Sequence, residues 1–302
     1  MKNRIIILTT SFNRNELTQR FLASVYASNF ESDLKVDILV IDDNSSDHTK
    51  ELILSNFPKV KVESGDGLLY SAGAIRFGMQ KLKESIDDYD GIFLANDDIV
   101  LELGVIEGMH ALGLSENALV GGTILCKNGK LEATGSNFGW ICRPRLRPVK
   151  ANGKVQECDV LPGHLLFIPT ALFKIVGPIN EFTKHGYADL EYSLRADKFG
   201  FKRFVFNRTL AHVDVEHNYF KENLSLRLST REMIWRARFN PKSPPISESK
   251  FYLKIISPYL WPFWLPLYYR STILVMFFNC LRTFLFRLIK RKNHLKSLQI
   301  GG

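Results

Sequence analysis

The stretch Gly-Ile-Phe-Leu-Ala-Asn-Asp-Asp, residues 91–98, joins a continuous apolar run to two adjacent carboxylates. Such a run is typical of a strand that is buried on both faces of a sheet. Open α/β sheets bind their ligands outside the carboxyl ends of the strands, so Asp97 and Asp98 would emerge together at a ligand site. The alternative is a strand that ends in a polar turn, since Asn and Asp are favoured turn residues.

The segments around this stretch predict an α/β sheet with crossover helices. Short β-branched runs alternate with helix-period segments up to about residue 207. Leu17, Phe21 and Val25 recur at helical spacing, and Asn13 or Asn15 could cap that helix. The candidate strands are residues 4–8, 36–41, 60–63, 91–95, 118–125 and 201–206. We therefore predict a mostly parallel central sheet with flanking helices.

The composition describes an ordinary globular protein. Of the 302 residues, 45% are hydrophobic and 24% are charged, which supplies a core and argues against disorder. The basic start, residues 1–4, leads into a short apolar run without a cleavage site, which indicates a first strand rather than a signal peptide. No Cys-x-x-Cys pair is present, so neither a zinc site nor a dense disulfide framework is indicated. Reduced thiols in a cytoplasmic protein fit best.

The net charge of +9 calls for an anionic partner, and its distribution favours a membrane surface. Residues 250–302 contain no Asp or Glu and combine aromatic runs with a basic end. Pro258, Pro262, Pro266 and Arg270 interrupt the roughly 20 apolar residues that a spanning helix needs. We therefore expect interfacial attachment, with Lys and Arg against anionic lipid. The alternative is an amphipathic helix that packs on its own domain or on a second copy.

A turn-rich stretch predicts a domain boundary near residue 240. Residues 240–245 read Asn-Pro-Lys-Ser-Pro-Pro. We predict an α/β domain over residues 1–240 and a helical, membrane-surface-associated extension over residues 241–302.

The first strand-to-helix turn argues against a dinucleotide fold. Residues 9–14 read Thr-Thr-Ser-Phe-Asn-Arg and lack the Gly-x-Gly-x-x-Gly pattern, which disfavours NAD. A serine and an arginine at such a turn, here Ser11 and Arg14, can instead hold a nucleotide through backbone amides and a phosphate through the guanidinium.

Acidic residues also follow the second predicted strand. Asp42 and Asp43 could accept hydrogen bonds from a base N–H or a ribose hydroxyl, whereas Ser46 or Asp47 would cap the next helix. Further on, residues 65–74 form a glycine-rich approach to a helix start, where backbone amides could face an anionic or sugar ligand. Glycines on both sides of an aspartate are also an everyday turn.

Two acidic residues open a helix-like stretch near residue 190. The helix dipole favours Asp189 and Glu191 in a first turn. Residues two apart do not share a helix face, so at most one points into a cleft and the other pairs elsewhere, with Arg195 as the candidate partner. Asp189 is the candidate general base that takes a proton from an acceptor hydroxyl.

In this order, these stretches resemble the inverting nucleotide-sugar glycosyltransferases of family 2, which have the fold called GT-A. The matching segments are Ser-Phe-Asn-Arg at 11–14, Ile-Asp-Asp-Asn-Ser-Ser-Asp at 41–47, residues 65–74, Asn-Asp-Asp at 96–98 and Asp-Leu-Glu-Tyr-Ser-Leu-Arg at 189–195. Residues 161–169 resemble the stretch before the acceptor site. The Asn-Asp-Asp motif is similar to that of bacterial rhamnosyltransferase-like members of polysaccharide assembly. Where many members carry Glu-Asp, this chain has Ala-Asp at 188–189.

The resemblance implies a metal-dependent hexosyl transfer with inversion. Asp98 would meet Mg²⁺ or Mn²⁺ and the diphosphate, and Asp189 would act as the base. The implied donor-binding residues are Ser11, Arg14, Asp42, Asp43, Asp66, Gly67 and Asp97. A histidine after the last strand sometimes completes such a metal site, and His212 and His217 are the alternatives here, although a lone histidine is more often a hydrogen-bonded structural residue.

The resemblance and the charge pattern together define the expected partners. They are a UDP- or dTDP-sugar donor, a glycan or lipid-linked glycan acceptor in O-antigen or capsule synthesis, and the inner face of the cytoplasmic membrane. The basic strip at residues 143–150 could bind an acceptor phosphate, although such strips are usually solvated loops. A homo-oligomer is one open alternative for the assembly state.

Three other functions compete with this interpretation. A sugar nucleotidyltransferase would also use paired carboxylates, but it usually needs a glycine-rich triphosphate loop that residues 11–14 lack. A non-catalytic membrane-associated scaffold on the same fold is the second alternative. Nucleic-acid binding rests on net charge alone, and the basic residues are interleaved with aliphatic runs rather than laid on a polar face, so we predict no nucleic-acid partner.

Overall fold

The computed structural model describes residues 2–28, 34–139, 143–150, 152–183, 187–213, 246–256 and 259–268, together with residues 277 and 281. The chain forms two compact units, Met1–Glu216 and His217–Gly302. The predicted boundary at residues 240–245 lies outside the described residues.

Strands and helices alternate through the first unit. In chain order they are β1 (Arg4–Ser11), α1 (Asn15–Ala27), β2 (Lys35–Asp42), α2 (Thr49–Asn56), β3 (Lys61–Ser64), α3 (Tyr70–Leu82), β4 (Gly91–Asn96), β5 (Ile99–Leu101), α4 (Val105–Glu116), β6 (Leu119–Cys126), β7 (Leu131–Ala133), β8 (Ser136–Gly139), β9 (Arg143–Pro148), β10 (Gln156–Glu157), β11 (Leu165–Pro169), α5 (Thr170–Val176), α6 (Ala188–Lys198) and β12 (Arg203–Val213). A 3-10 turn, Ile86–Asp88, precedes β4.

Most strands of the central sheet run in one direction. The order is β10-β12-β6-β11-β4-β1-β2-β3, with β5 also paired to β12 and β7 to β6. Strands β3, β2, β1 and β4 are parallel, and β11 lies antiparallel between β4 and β6, which is itself parallel to β12. The predicted mostly parallel sheet with flanking helices is confirmed, and the carboxyl ends of β1, β2 and β4 lie at one edge.

Alternation of side chains along the strands builds two apolar layers. Leu8, Ile41 and Leu94 face one layer, which includes residues of α3, α5 and α6. The alternate positions face the other layer, with α1, α2 and α4. Each fully buried Leu, Ile or Phe contributes roughly 1.5–3 kcal/mol relative to an exposed one. Gly78 lets α3 approach the sheet closely, since a Cβ there would lie 2.4 Å from the Leu8 Cδ1.

The start of α1 differs from the predicted capping. The residue before the helix is Arg14, and its side chain makes no capping hydrogen bond. The first helical N–H, that of Asn15, instead donates to the Asp47 Oδ2 at 3.0 Å. Asp47 also accepts from the Thr49 N–H at the start of α2. One carboxylate therefore stabilises two helix starts, which local sequence at α1 could not reveal.

Several strands form where none was predicted, and two of them lie in segments to which the sequence analysis gave other roles. Residues 161–169 contain β11, whose five apolar residues are all buried. So short an apolar run does not show from the sequence which strands it pairs with. The alternative that the basic strip at residues 143–150 is a solvated loop is wrong, because the strip contains β9, which pairs with β8 in a separate two-stranded sheet.

The described part of the second unit is helical. It contains α7 (Ile246–Ile256) and α8 (Trp261–Tyr268). The ammonium groups of Lys250 and Lys254 lie 4.9 and 5.1 Å from the centre of the Trp261 ring. Within the described residues, none of the helices has both the length and the hydropathy that crossing a membrane requires.

Candidate active site

The carboxyl edge of the sheet gathers the acidic residues predicted from the sequence. In the sheet register Ser11 lies beside Asp42, and Thr10 lies beside Asn96. Asp42 is only 3% exposed, and the carboxylates that follow β2 and β4 are comparably buried. Burial of several carboxylates at one edge is costly unless cations or hydrogen-bond donors reach them.

Arg14 contacts both carboxylates that follow β4. Its Nη1 lies 3.0 Å from the Asp97 Oδ1 and 3.0 Å from the Asp98 Oδ2. Burial lowers the pKa of Arg14, but the two carboxylates outweigh burial and leave that pKa raised. The guanidinium therefore supplies positive charge to the acidic pair, at a position close to where a bound cation would act.

Asp97 is also held by a buried hydroxyl. The Thr18 Oγ1 donates to its Oδ2 at 3.2 Å, and the Ser11 Oγ lies 2.8 Å from the same hydroxyl. Burial raises the pKa of Asp97 to about 6, although Arg14 opposes this shift. Ser11 thus points into the α1 side of the sheet, and its contribution to the open edge is its backbone. Sequence reasoning missed Thr18, which lies on α1 and has no motif around it.

Asp43 organises the glycine-rich segment. Its Oδ1 accepts from the Gly67 N–H at 2.9 Å, and its Oδ2 accepts from the N–H groups of Leu69 and Tyr70 at 3.1 and 3.2 Å. Gly67 has φ +85°, which glycine adopts without steric cost. A Cβ at Gly65 would lie 2.4 Å from the same carboxylate. Asp43 therefore fixes the loop to the end of β2.

Asp42 keeps one carboxylate oxygen available. Its Oδ2 accepts from the Ser45 N–H at 3.2 Å. Its Oδ1 is buried and has no hydrogen-bond partner among the described residues. Asp66, by contrast, is exposed and accepts from the Leu68 N–H two residues on, which is the everyday turn considered as the alternative. Exposed Phe12 follows Ser11 beside this corner, and the sequence analysis gave it no role.

The candidate base is connected to the acidic edge by a short path of hydrogen bonds. The Asp189 Oδ2 accepts from the Gly163 N–H at 2.8 Å, and its Oδ1 accepts from the Leu190 N–H. The next residue, His164, accepts through its carbonyl from the Asn96 N–H at 2.9 Å. Asn96 ends β4 and precedes the acidic pair. The structure therefore brings Asp189 and the Asn-Asp-Asp segment to one edge of the sheet.

Glu191 forms a buried ion pair within α6. It is 4% exposed, and its Oε1 lies 2.9 Å from the Arg195 Nε. Arg195 also donates to the carbonyls of Val176 and Pro178. The expected pairing of Glu191 with Arg195 is confirmed, and it anchors α6 to the end of α5.

Of the two candidate histidine ligands, the structure describes only His212. The His212 Nδ1 lies 2.7 Å from the Glu102 Oε1, in the pairing of β12 with β5. In the described part of the chain, no group of three or more His, Cys, Asp or Glu side chains could hold a metal ion, so His212 does not join Asp97 and Asp98 in such a group. His217 lies outside the described residues.

The acidic pair fits a divalent cation in chemistry. Asp97 and Asp98 offer hard oxygen atoms in a buried corner at the ligand edge. Mg²⁺ is usually held by one or two carboxylates together with substrate phosphates and waters, so a pair of protein ligands is sufficient in number.

Comparison with known proteins relates the sequence and the fold to glycosyltransferases. Residues 6–152 match the family described as Glycosyl transferase family 2. None of the curated proteins matches the chain. The fold is similar to the crystal structure of GalNAc-T7 with UDP, GalNAc and Mn²⁺, with a TM-score of 0.61 and 12% identity. That match covers 84% of this chain and 47% of the other, so this chain spans about half the length of GalNAc-T7. The fold is of the GT-A type.

Proposed function

We propose that this chain is a family 2 glycosyltransferase that moves a sugar from a nucleoside diphosphate to an acceptor hydroxyl with inversion. The family match over residues 6–152 supports the reaction class. The observation that carries the assignment is the path of hydrogen bonds from Asp189 through residues 163–164 to Asn96. This path supports Asp189 as the base, because it links that carboxylate to the segment that carries the proposed leaving-group ligands.

The donor would bind along the ends of β1, β2 and β4. The unpartnered Asp42 Oδ1 can accept a hydrogen bond from a base N–H or a ribose hydroxyl, and a buried acceptor left unpaired is costly. Asp43 and Gly67 would act indirectly by shaping the loop around the nucleotide. Asp66 has no comparable contact and depends on the family resemblance. UDP or dTDP is the expected nucleotide.

The chemistry would divide between two groups of residues. Asp189 accepts the proton of the attacking hydroxyl, and the Gly163 N–H keeps its carboxylate in place. Arg14 can turn from the acidic pair toward the diphosphate, because its side chain is 41% exposed. A bound Mg²⁺ or Mn²⁺ on Asp98, with Asp97 in support, would neutralise the negative charge that grows on the departing diphosphate. His212 stays a predicted ligand, and in the structure its Nδ1 pairs with Glu102.

A donor screen tests this proposal directly. Thermal melts with UDP, dTDP and their sugars, with and without Mn²⁺, should show stabilisation that requires the metal, because a ligand of the folded state raises its melting temperature. Slow hydrolysis of the same donor should follow and be lost in Asp98→Asn. Asp87→Asn, an exposed carboxylate at the opposite end of β4, is the matched control. Synthesis of a nucleotide sugar from a sugar phosphate and a nucleoside triphosphate would instead identify a nucleotidyltransferase.

We infer a lipid-linked glycan as the acceptor class and the inner face of the cytoplasmic membrane as the place of action. Phe263 is 72% exposed and Tyr259 is 91% exposed, while Lys250 and Lys254 lie near Trp261 in the same unit. Aromatic and basic side chains together are typical of membrane-surface helices. Cell-surface polysaccharide synthesis, such as that of O-antigen or capsule, would use such an acceptor.

Flotation with liposomes tests the membrane part separately. The full chain should float with vesicles that contain anionic lipid and not with neutral vesicles. Lys250→Glu with Lys254→Glu should weaken flotation, whereas Lys59→Glu with Lys61→Glu in the first unit should not. Equal flotation with neutral vesicles, or none with anionic ones, contradicts this attachment and leaves the transfer reaction intact.

A further inference from the structure

The segment before β11 is fixed at three points. The Leu161 N–H donates to the Ser193 Oγ at 3.1 Å, and the Gly163 N–H donates to Asp189. The His164 carbonyl accepts from the Asn96 N–H at 2.9 Å. Two of these contacts come from α6 and the third from the end of β4. A segment held in this way presents its side chains in a defined position.

His164 lies where β11 enters the sheet, beside the end of β4. The register pairs Leu165 with Ala95 and Leu166 with Leu94. Leu166 and Leu94 belong to the apolar layer with α3, α5 and α6. His164 lies in the turn directly before β11, and its carbonyl accepts from the Asn96 N–H, so this residue lies opposite the end of β4.

The imidazole of His164 has an unused polar atom. Its Nδ1 is buried and has no hydrogen-bond partner among the described residues. Buried polar atoms in native proteins are nearly always paired, and an imidazole nitrogen can donate or accept depending on the tautomer. A molecule that enters the site can supply a partner for this atom.

The position of His164 indicates which part of that molecule it meets. Asp189 would serve the attacking hydroxyl, and the acidic pair after Asn96 would serve the diphosphate. In a single displacement the transferred sugar lies between these two groups. His164 is the residue that joins Gly163, on Asp189, to Asn96.

We propose that His164 hydrogen-bonds a hydroxyl of the transferred sugar and thereby helps to select the donor. This inference rests on the proposed function, because it needs a sugar nucleotide in the site. His164 should contribute to the affinity for the sugar part of the donor and not to the affinity for its nucleotide part. The affinity for a nucleoside diphosphate alone should therefore be independent of His164.

Calorimetric titration of the full chain with Mn²⁺ separates these contributions. UDP and dTDP are compared with their hexose derivatives in wild type, His164→Ala, His164→Phe and His164→Asn. In the Ala and Phe variants the extra affinity that the sugar provides should fall roughly tenfold, with the nucleotide affinity unchanged. His164→Asn should retain most of it, because an amide can replace the imidazole as a polar partner. Phe fills the volume of the ring, so the test stands if Ala destabilises the fold.

The outcomes distinguish this inference from the proposed function. His48→Asn, at an exposed histidine with φ +60° that asparagine tolerates, is the control and should match wild type. If the extra affinity that the sugar provides is the same in all variants, His164 does not contact the sugar. The same conclusion follows if the variants also lose affinity for the nucleoside diphosphate alone. If wild type gains nothing from the sugar, the inference is also wrong. If wild type binds no nucleoside diphosphate, the proposed function fails and this inference fails with it.

Discussion

The charged groups at the two ends of the central strands differ in how completely they are paired. At the amino end, the Arg4 Nη2 lies 2.7 Å from the Asp37 Oδ2, and Asp90 accepts from the Lys2 N–H and contacts the His110 Nε2. At the carboxyl end, Arg14 bridges two buried carboxylates, and Asp42 keeps a buried oxygen without a described partner.

From this difference we expect the amino end of the strands to matter mainly for stability and the carboxyl end mainly for function. The amino-end groups find their partners within the chain. At the carboxyl end, the buried Asp42 Oδ1 has no partner among the described residues, which is costly to the folded state and is common at active sites. Substitutions at the carboxyl end should therefore impair turnover, and those at the amino end should affect unfolding.

The largest effect is expected for Asp98→Asn. Removal of this charge takes away the proposed metal ligand, so turnover should fall about a thousandfold or more. The free energy of unfolding should change little, because the repulsion of Asp97 by a buried carboxylate is lost together with the ion pair to Arg14. Turnover with Mn²⁺ and urea unfolding measure the two quantities. Unchanged turnover would contradict a metal role for Asp98.

Asp189→Asn should have the next largest effect. The amide can still accept from the Gly163 N–H, but it cannot take a proton, so kcat should fall about 10²- to 10⁴-fold. Affinity for the nucleoside diphosphate should remain, since this residue does not serve the nucleotide. Glu191→Gln is the comparison, and it should affect stability more than kcat. Equal kcat in wild type and Asp189→Asn would remove the assignment of the base.

Arg14→Gln should change metal binding and turnover in opposite directions. Without the guanidinium, Mn²⁺ alone should bind roughly tenfold more tightly, because a competing charged partner of both carboxylates is gone. Turnover should fall, since Arg14 would no longer meet the diphosphate. Electron paramagnetic resonance of Mn²⁺ gives the first quantity. Weaker Mn²⁺ binding in the variant would show that Arg14 supports the metal rather than competing with it.

His110→Asn should show the smallest effect, at the amino end. Burial lowers the pKa of His110, although Asp90 opposes this shift. The neutral form is therefore favoured in the folded state, so its contribution to stability is present above the unfolded pKa of about 6.5 and is lost as the pH falls below it. Urea unfolding at pH 7.5 and 5.5 should show a steeper loss for wild type than for the variant. Turnover at pH 7.5 should be the same in both.

The sequence predicted this edge of the sheet through its strand ends. The apolar run before Asp97 and the i, i+4 spacing of Glu191 and Arg195 depend on local patterns, and both are found in the structure. The partners of Asp43 and His164 come from segments more than twenty residues away. No local pattern specifies those distances, and a mostly buried sheet has little periodicity to reveal register.

The side chain of Ser11 differs from its predicted role although the first strand was predicted correctly as a strand. The first strand was expected to end at residue 8, but β1 continues to Ser11. Because strand side chains alternate, Ser11 lies on the same face of β1 as Ile5 and Ile7, which is the face toward α1. Its hydroxyl therefore meets Thr18 rather than the open edge.

The reversed direction of β11 offers a route to altered donor choice. Because β11 enters the sheet at the edge where its neighbours leave it, the turn at residues 161–164 delivers a side chain there without changing the strands that bear the acidic pair. Lengthening or shortening that turn by one residue would change which side chain meets the proposed donor sugar and would leave the proposed ligands of the diphosphate unchanged. Libraries confined to this turn are therefore a compact starting point for enzymes with new sugar preferences.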